Sequence, residues 1–354
     1  MTAATRLAEL TTLRVGGPAK AVVVAHDEQE LIAAVREADA SGVPALVVGG
    51  GSNLVVSDDG YPGTVVVVGT RGLEVDGDTC GGAWVTVAAG EPWDAVVARA
   101  VEHEWAGLEA LSGIPGSTGA TPVQNVGAYG QEVGQTVARV RTFDRVDGVR
   151  RTFAAADCGF DYRTSRFKAE PGRHLVLDVA FSLRFSATSG PVRYAELARR
   201  LGLEVGDRAP LGDVREAVLS LRRSKGMVLD PDDHDTWSVG SFFTNPVLSA
   251  EQAASLPDDA PRYPAGDGRV KTSAAWLIER SGVAKGQAHG GAAVSSKHSL
   301  ALTNRGSATT SDVLALARGV RDRVRSAYGV DLEPEPTLVG CSLEAAGAGA
   351  RPDR

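Results

Sequence analysis

Residues 111–130 read Leu-Ser-Gly-Ile-Pro-Gly-Ser-Thr-Gly-Ala-Thr-Pro-Val-Gln-Asn-Val-Gly-Ala-Tyr-Gly. The glycines, together with Pro115 and Pro122, exclude an ordinary helix or a central strand. No Asp, Glu, Lys or Arg occurs in the stretch, so it does not read as a solvated linker. A long, uncharged run of small residues suits backbone laid closely against something that is not protein. Glycine lets main-chain N–H groups approach a ligand with no side chain in the way, and successive N–H groups form nests for anions. Taken alone, the stretch reads equally well as a buried irregular connection.

A second stretch tips the balance. Residues 45–54, Ala-Leu-Val-Val-Gly-Gly-Gly-Ser-Asn-Leu, are an apolar strand running into three glycines. A strand that ends in a glycine turn presents backbone donors to a phosphate. The spacing is not the dinucleotide fingerprint, because the third glycine is adjacent instead of three residues further on. No Gly-Lys-Ser/Thr of the Walker type occurs in the chain. Two glycine-rich, uncharged segments fit a large, extended phosphate ligand held by loops.

Composition sets the frame. The 354 residues suffice for two or three domains. Hydrophobic content of 43%, charged content of 23% and a net charge of −7 are those of a soluble globular protein. The negative balance argues against nucleic acid or an acidic membrane as partner. No apolar run approaches the roughly 20 residues of a membrane span, and the first ten residues lack the core of a signal peptide. Cys80, Cys158 and Cys341 have no metal-like spacing, so reduced thiols in a cytoplasm and no metal site are expected.

Along the chain, Asp27 is placed to cap a helix over 27–40, with Leu31, Ile32, Val35 and Ala38 at helical spacing. Strands are expected at 21–24, 45–48, 64–68 and 84–88, and a helix opened by Pro92 over 92–104. Asp147-Gly148 marks a hairpin between 137–144 and 149–153, and 175–185 reads as a strand. Residues 191–225 read as largely helical. Residues 251–270 form an acidic, Pro- and Gly-rich excursion. A helix at 272–281, a strand at 299–304 and a helix at 311–327 follow.

Three residues stand out as candidate chemistry. Arg163, in Phe-Asp-Tyr-Arg-Thr-Ser-Arg, could clamp a carboxylate with its planar fork. Ser241 sets a hydroxyl beside two phenylalanines, and Glu335 lies in Leu-Glu-Pro-Glu-Pro. Residue type alone favours an ordinary role for each, a surface ion pair, a backbone-bonded hydroxyl and a solvated turn carboxylate, and raises none of them above background. His289 and His298 read as structural or solvent-facing.

Five strings in order resemble one family, the UDP-N-acetylenolpyruvoylglucosamine reductases. They are Gly-Gly-Gly-Ser-Asn-Leu (49–54), Ile-Pro-Gly-Ser-Thr-Gly-Ala-Thr-Pro-Val-Gln-Asn-Val-Gly-Ala-Tyr-Gly (114–130), Tyr-Arg-Thr-Ser-Arg-Phe-Lys (162–168), Gly-Ser-Phe-Phe-Thr-Asn-Pro (240–246) and Leu-Glu-Pro-Glu (332–335). The resemblance implies an α+β fold. A two-subdomain FAD-binding module of the vanillyl-alcohol-oxidase type would cover 12–186, split near residue 70. A connecting segment at 187–225, a substrate-binding domain at 226–340 and a disordered tail at 341–354 would follow.

It also implies FAD as cofactor, NADPH as hydride donor, and a small-molecule enolpyruvyl sugar nucleotide as substrate of a cytoplasmic monomer. NADPH and the sugar nucleotide would use one cleft in turn, which accounts for the missing dinucleotide fingerprint. The family's cofactor positions fall on Gly49, Gly50, Gly51, Ser52, Asn53 and Leu54 in the first turn. In the second they fall on Ile114, Pro115, Gly116, Ser117, Thr118, Gly119, Ala120, Gln124, Asn125, Gly127, Ala128 and Tyr129. Its catalytic positions fall on Arg163, which would hold the substrate carboxylate, Glu335, which would share in holding it in protonated form, and Ser241, which would protonate the α-carbon.

Tyr194 matches the tyrosine of the type with an extra loop, and Lys225 and Asn245 match positions that contact the diphosphate. The Gln found in some members has no aligned counterpart, because Gln287 stands one place early. Two rivals differ in testable features. Another oxidase on the same module often attaches FAD through His or Cys, which both glycine-rich stretches lack. A non-catalytic flavin or nucleotide-sugar binder need not keep Arg163, Ser241 and Glu335 together.

Overall fold

The computed structural model describes residues 5–78 and 82–344. Cys80 and residues 345–354 of the expected tail lie outside them. Two compact units form, the first from Lys20–Gly50 and Pro62–Val228. The second combines the N-terminal stretch through Ala19, Gly51–Tyr61 and the chain from Leu229 onward. The segments around 12–19 and 51–61, which the sequence reading grouped with the flavin module, thus pack with the C-terminal part. The reason is a long-range parallel pairing of Leu54–Val56 with Thr337–Val339, which no local pattern announces.

In the first unit, Asp27 accepts the amide of Glu30 and opens the helix Glu28–Ala40, which buries Leu31, Ile32, Val35 and Ala38. The helix belongs to a small sheet in which Ala45–Val48 runs parallel to Tyr61–Val68, with Ala19–Ala25 on the other side of the latter. A larger antiparallel sheet carries Val149–Ala154, Val137–Asp144, His174–Phe185, Gly82–Ala88 and Leu73–Asp78 in that spatial order. Its hairpin closes at Asp144 opposite Val149, around the expected Asp147-Gly148. Val85, Val87, Trp93, Val97, Val140 and Phe181 are among its buried core.

Asp144 anchors the base of that hairpin. Its carboxylate is fully buried and accepts from Arg173 at 3.0 Å, Arg151 at 2.9 Å and the amides of Val146 and Asp147. Burial works against ionisation, but the bonds from Arg173, the Asp147 amide and Arg151 hold the carboxyl well below the usual range. A depressed folded pKa contributes stability that is present above the unfolded value of about 3.9 and fades as pH falls below it. Asp144→Asn is therefore expected to cost about 2–3 kcal/mol at neutral pH. Urea titrations of both proteins should show this gap narrowing below about pH 4; an unchanged gap there would mean that charge is not its source.

The run expected as largely helical over 191–225 is two helices, Ala195–Leu201 and Leu211–Ser224. Gly202 in the left-handed region ends the first, and Pro210 precedes the second, where its missing N–H costs nothing. Leu197, Ala198, Val214, Ala217 and Val218 seal the pair.

In the second unit, the helix Thr310–Tyr328 opens with a capping box between Thr309 and Asp312. Asp58 accepts the amides of Thr310 and Ser311 at the same end, offsetting the positive helix terminus. The helix packs Val313, Leu316, Ala317, Val320 and Val324 into a core with Phe242, Phe243, Leu277 and Ile278. Leu343 also lies in that core, and Arg321 donates to its carbonyl. The acidic excursion has a centre of its own: the Arg262 guanidinium collects the carbonyls of Ala253, Leu256, Pro257, Asp258 and Ala260. Burial pushes the Cys158 and Cys341 thiols up to about 11, which keeps both protonated and unreactive.

Candidate active site

In the first unit, the 111–130 loop is threaded against the end of the strand Gly82–Ala88 and the helix Trp93–Glu102. Thr118 and Gly119 donate their amides to Glu91 and Ala89, and Trp93 donates to Gly116. Thr118 spends its hydroxyl on Glu91 as well. The two glycine stretches meet here. A Cβ on Gly50 would lie 2.5 Å from the Cα of Gly116, and one on Gly49 would lie 2.2 Å from the Ser117 hydroxyl. The glycines are thus required first by the packing of one loop on the other. Their exposed rim, Gly50 and Ala120 with half-buried Gly49 and Gly116, carries no charge and no side chain beyond a methyl. A pyrophosphate or a flavin edge can approach such backbone closely, so these residues fit FAD.

Gly50→Ala is expected to push the loops apart at about 1–3 kcal/mol and lower flavin affinity about tenfold. The ratio of flavin to protein absorbance after dialysis reads this out. Gly212→Ala is the control: its Cβ would meet nothing within 4 Å, and it lies in a helix where alanine is favoured. Equal flavin loss in both variants would refute the packing argument.

Arg163 is fixed by the same loop. The turn 161–164 is closed by reciprocal bonds between Asp161 and Thr164, and three side chains fasten it. Asn125 donates to the Asp161 carbonyl, Ser165 to Val123, and Arg163 itself to Gly127 at 3.0 Å. Arg163 sits at the corner with φ of 54°, in the left-handed region that non-glycine residues occupy only when their surroundings enforce it. Asn125 is 2% exposed; its amide nitrogen donates to Glu132 and Asp161, and its oxygen accepts from Gly134. Its side chain therefore shapes the loop.

Tyr129, Tyr194 and Lys225 come together in this unit. The two tyrosine rings meet edge to face with centroids 5.6 Å apart, and the Lys225 ammonium lies 5.8 Å from the Tyr129 ring centre. Sequence reasoning missed two neighbours. Glu196 holds Lys225 at 2.6 Å. Arg222 donates to the Met227 carbonyl and leaves a buried Nε without a partner. Arg222 stands three residues before Lys225, the one-turn spacing that could have flagged it; Glu196 gave no such signal. Burial pushes the Tyr129 hydroxyl up to about 12 and the Arg222 guanidinium down to about 10. A small cleft beside Tyr129 is lined by Glu109, Gln131, Gly190 and Arg193 among others.

In the second unit, Ser241 and Glu335 lie on adjoining extended segments. Ser241 pairs with Ala301, and Phe243 with Pro334. The Glu335 amide donates to the carbonyl of Phe242, the residue after Ser241, at 2.9 Å. Buried Phe242 and Phe243 pin the serine segment, while Pro334 and Pro336 keep Glu335 extended. Asn53 donates to the Glu335 carbonyl and accepts from Thr337, so part of the first glycine turn, Gly51 to Leu54, is built into this site. Asn245 uses its side-chain oxygen on the Ala274 amide at the start of the helix Ala274–Arg280. Ser241 and Glu335 are both half-buried, dry enough to strengthen polar contacts and open enough to meet a substrate.

Among the described residues, no helix is long and apolar enough to cross a membrane. Two family models match the chain: an FAD binding domain over residues 19–153 and the C-terminal domain of UDP-N-acetylenolpyruvoylglucosamine reductase over 230–339. The UDP-N-acetylenolpyruvoylglucosamine reductase of Cutibacterium acnes is 58% identical over 340 residues, covering 95% of this chain and 90% of its own. That of Streptomyces coelicolor is 55% identical over 348 residues with the same coverage. The crystal structure of the Thermus caldophilus reductase superposes with a TM-score of 0.64 at 26% identity, covering 95% of this chain and 97% of its own. The chain belongs to the UDP-N-acetylenolpyruvoylglucosamine reductases, FAD-dependent oxidoreductases of peptidoglycan synthesis with an α+β fold.

Proposed function

We propose that the chain reduces UDP-N-acetylglucosamine enolpyruvate to UDP-N-acetylmuramate with NADPH, the two substrates using one cleft in turn, and that it does so as a cytoplasmic monomer. Bound FAD supplies the chemistry of carrying hydride from NADPH to the β-carbon of the enolpyruvyl group. The negative charge that then develops on the α-carbon and its carboxylate needs preorganised partners. Arg163, on its enforced turn, holds the carboxylate with its fork. Glu335 shares that carboxylate in protonated form. The Ser241 hydroxyl donates its proton to the α-carbon, a task open to a weak acid because the site is partly desolvated. Tyr194 covers the substrate as in members with the extra loop, and Lys225 and Asn245 contact the diphosphate. Gly49–Leu54, Ile114–Ala120, Gln124, Asn125 and Gly127–Tyr129 hold FAD.

The observation that carries this reading is the adjacency of Ser241 and Glu335, residues 94 positions apart by their numbers, joined through the Phe242–Glu335 backbone bond. A flavin module alone would not require it. The test is an anaerobic absorbance trace of the purified, yellow protein. NADPH should bleach it, and the enolpyruvyl sugar nucleotide should restore the colour. Bleaching without recovery would remove the substrate assignment, and a protein that binds no FAD would overturn the reading.

A further inference from the structure

Glu196 is the member of the Tyr129–Tyr194–Lys225 cluster that touches Lys225 directly, and the proposed function leaves it without a task. It is the second residue of the helix Ala195–Leu201, whose N-cap is Tyr194 and whose first turn has no side-chain cap. Lys225 is the C-cap of the helix Leu211–Ser224. The bridge between Glu196 and Lys225, at 2.6 Å, therefore ties the start of the tyrosine-bearing helix to the end of the lysine-bearing one. Both side chains are about a third exposed, and such an ion pair contributes little to folding. Its consequence lies in where it leaves the ammonium. Lysine is a point charge on a flexible four-carbon stem, and a loose one must be immobilised when it meets an anion. Glu196 takes one of its three donors and sets it against the Tyr129 face, leaving the others for an incoming oxyanion.

We propose that Glu196 is a positioning residue for the diphosphate of the sugar nucleotide, acting through Lys225. The inference rests on the assignment of Lys225 to that diphosphate. A carboxylate could instead compete with the substrate for the ammonium, but lysine's three donors let both partners bind at once. Preorganisation then decides the sign, and losing one fixed long side chain lowers affinity by about 3–10-fold.

The test compares wild type, Glu196→Ala, Lys225→Met and the double variant as FAD-loaded, full-length proteins in steady-state turnover. Glu196→Ala is expected to raise KM for the enolpyruvyl sugar nucleotide about 3–10-fold with little change in kcat. It should raise it no further in the Lys225→Met background, because a residue that acts through Lys225 has nothing to position once the ammonium is gone. Glu196→Asp, which keeps the charge, should recover part of the loss. A lowered or unchanged KM in Glu196→Ala, or an equal rise in both backgrounds, overturns the proposal while leaving Lys225 in place. An unchanged KM in Lys225→Met removes the diphosphate assignment, and the proposal with it.

Discussion

Ser241→Ala is expected to bleach with NADPH at the wild-type rate and to recolour with the enolpyruvyl sugar nucleotide about 10²–10⁴-fold more slowly, the usual contribution of a positioned general acid. Only the second half-reaction consumes a proton at the α-carbon, so only it should respond. Stopped-flow traces of the two additions separate them. The fold should tolerate the change: the segment is held by the pairing of its backbone with Ala301 and by buried Phe242 and Phe243, none of which needs the hydroxyl. Equal slowing of both half-reactions would mean that Ser241 shapes the flavin environment, and normal recolouring would assign the proton to another group.

Arg163 permits a sharper test because its backbone and side chain make opposite demands. Removing a preorganised partner of the developing charge is expected to lower kcat/KM for the sugar nucleotide by about 10²–10³-fold. Arg163→Gly also relieves a left-handed backbone that costs about 1 kcal/mol or more in a residue with a Cβ. That relief offsets the lost bond to Gly127 and the stacking on Tyr162, each about 1 kcal/mol or less. The glycine variant should thus melt within about 3 °C of wild type. Arg163→Ala, equally inactive, should melt lower, since it keeps the strain and loses the contacts. An alanine variant as stable as the glycine variant would show that the turn is not strained. Activity retained in either would end the carboxylate assignment.

The elements with local signals were legible from the chain alone. Asp27 opens its helix because a short acceptor can reach an amide three residues on. The hairpin at Asp147-Gly148 forms where a turn pair separates two strand-like runs, and the helix Thr310–Tyr328 shows a continuous apolar stripe. The glycine stretches, the uncharged loop and the ordered strings around Arg163, Ser241 and Glu335 were legible for the same reason: each is contiguous in the chain.

Tertiary structure decided what depends on distant segments. Gly50 must be glycine because Gly116 lies against it, and the Asn125 side chain is tied into the loop by Glu132, Asp161 and Gly134. Arg163 holds a left-handed backbone in a turn that its own backbone bonds close and that Asn125, Ser165 and the Arg163 side chain fasten to a second segment. Leu54–Val56 joins the C-terminal unit through pairing with Thr337–Val339, although its neighbour Val48 ends a strand of the other. Glu196 meets Lys225 because two short helices, one stopped by Gly202 and the other started after Pro210, fold back on an apolar seam. Periodicity and turn chemistry act over a few residues, whereas steric exclusion and ion pairing act between whatever surfaces the fold brings within a few ångströms.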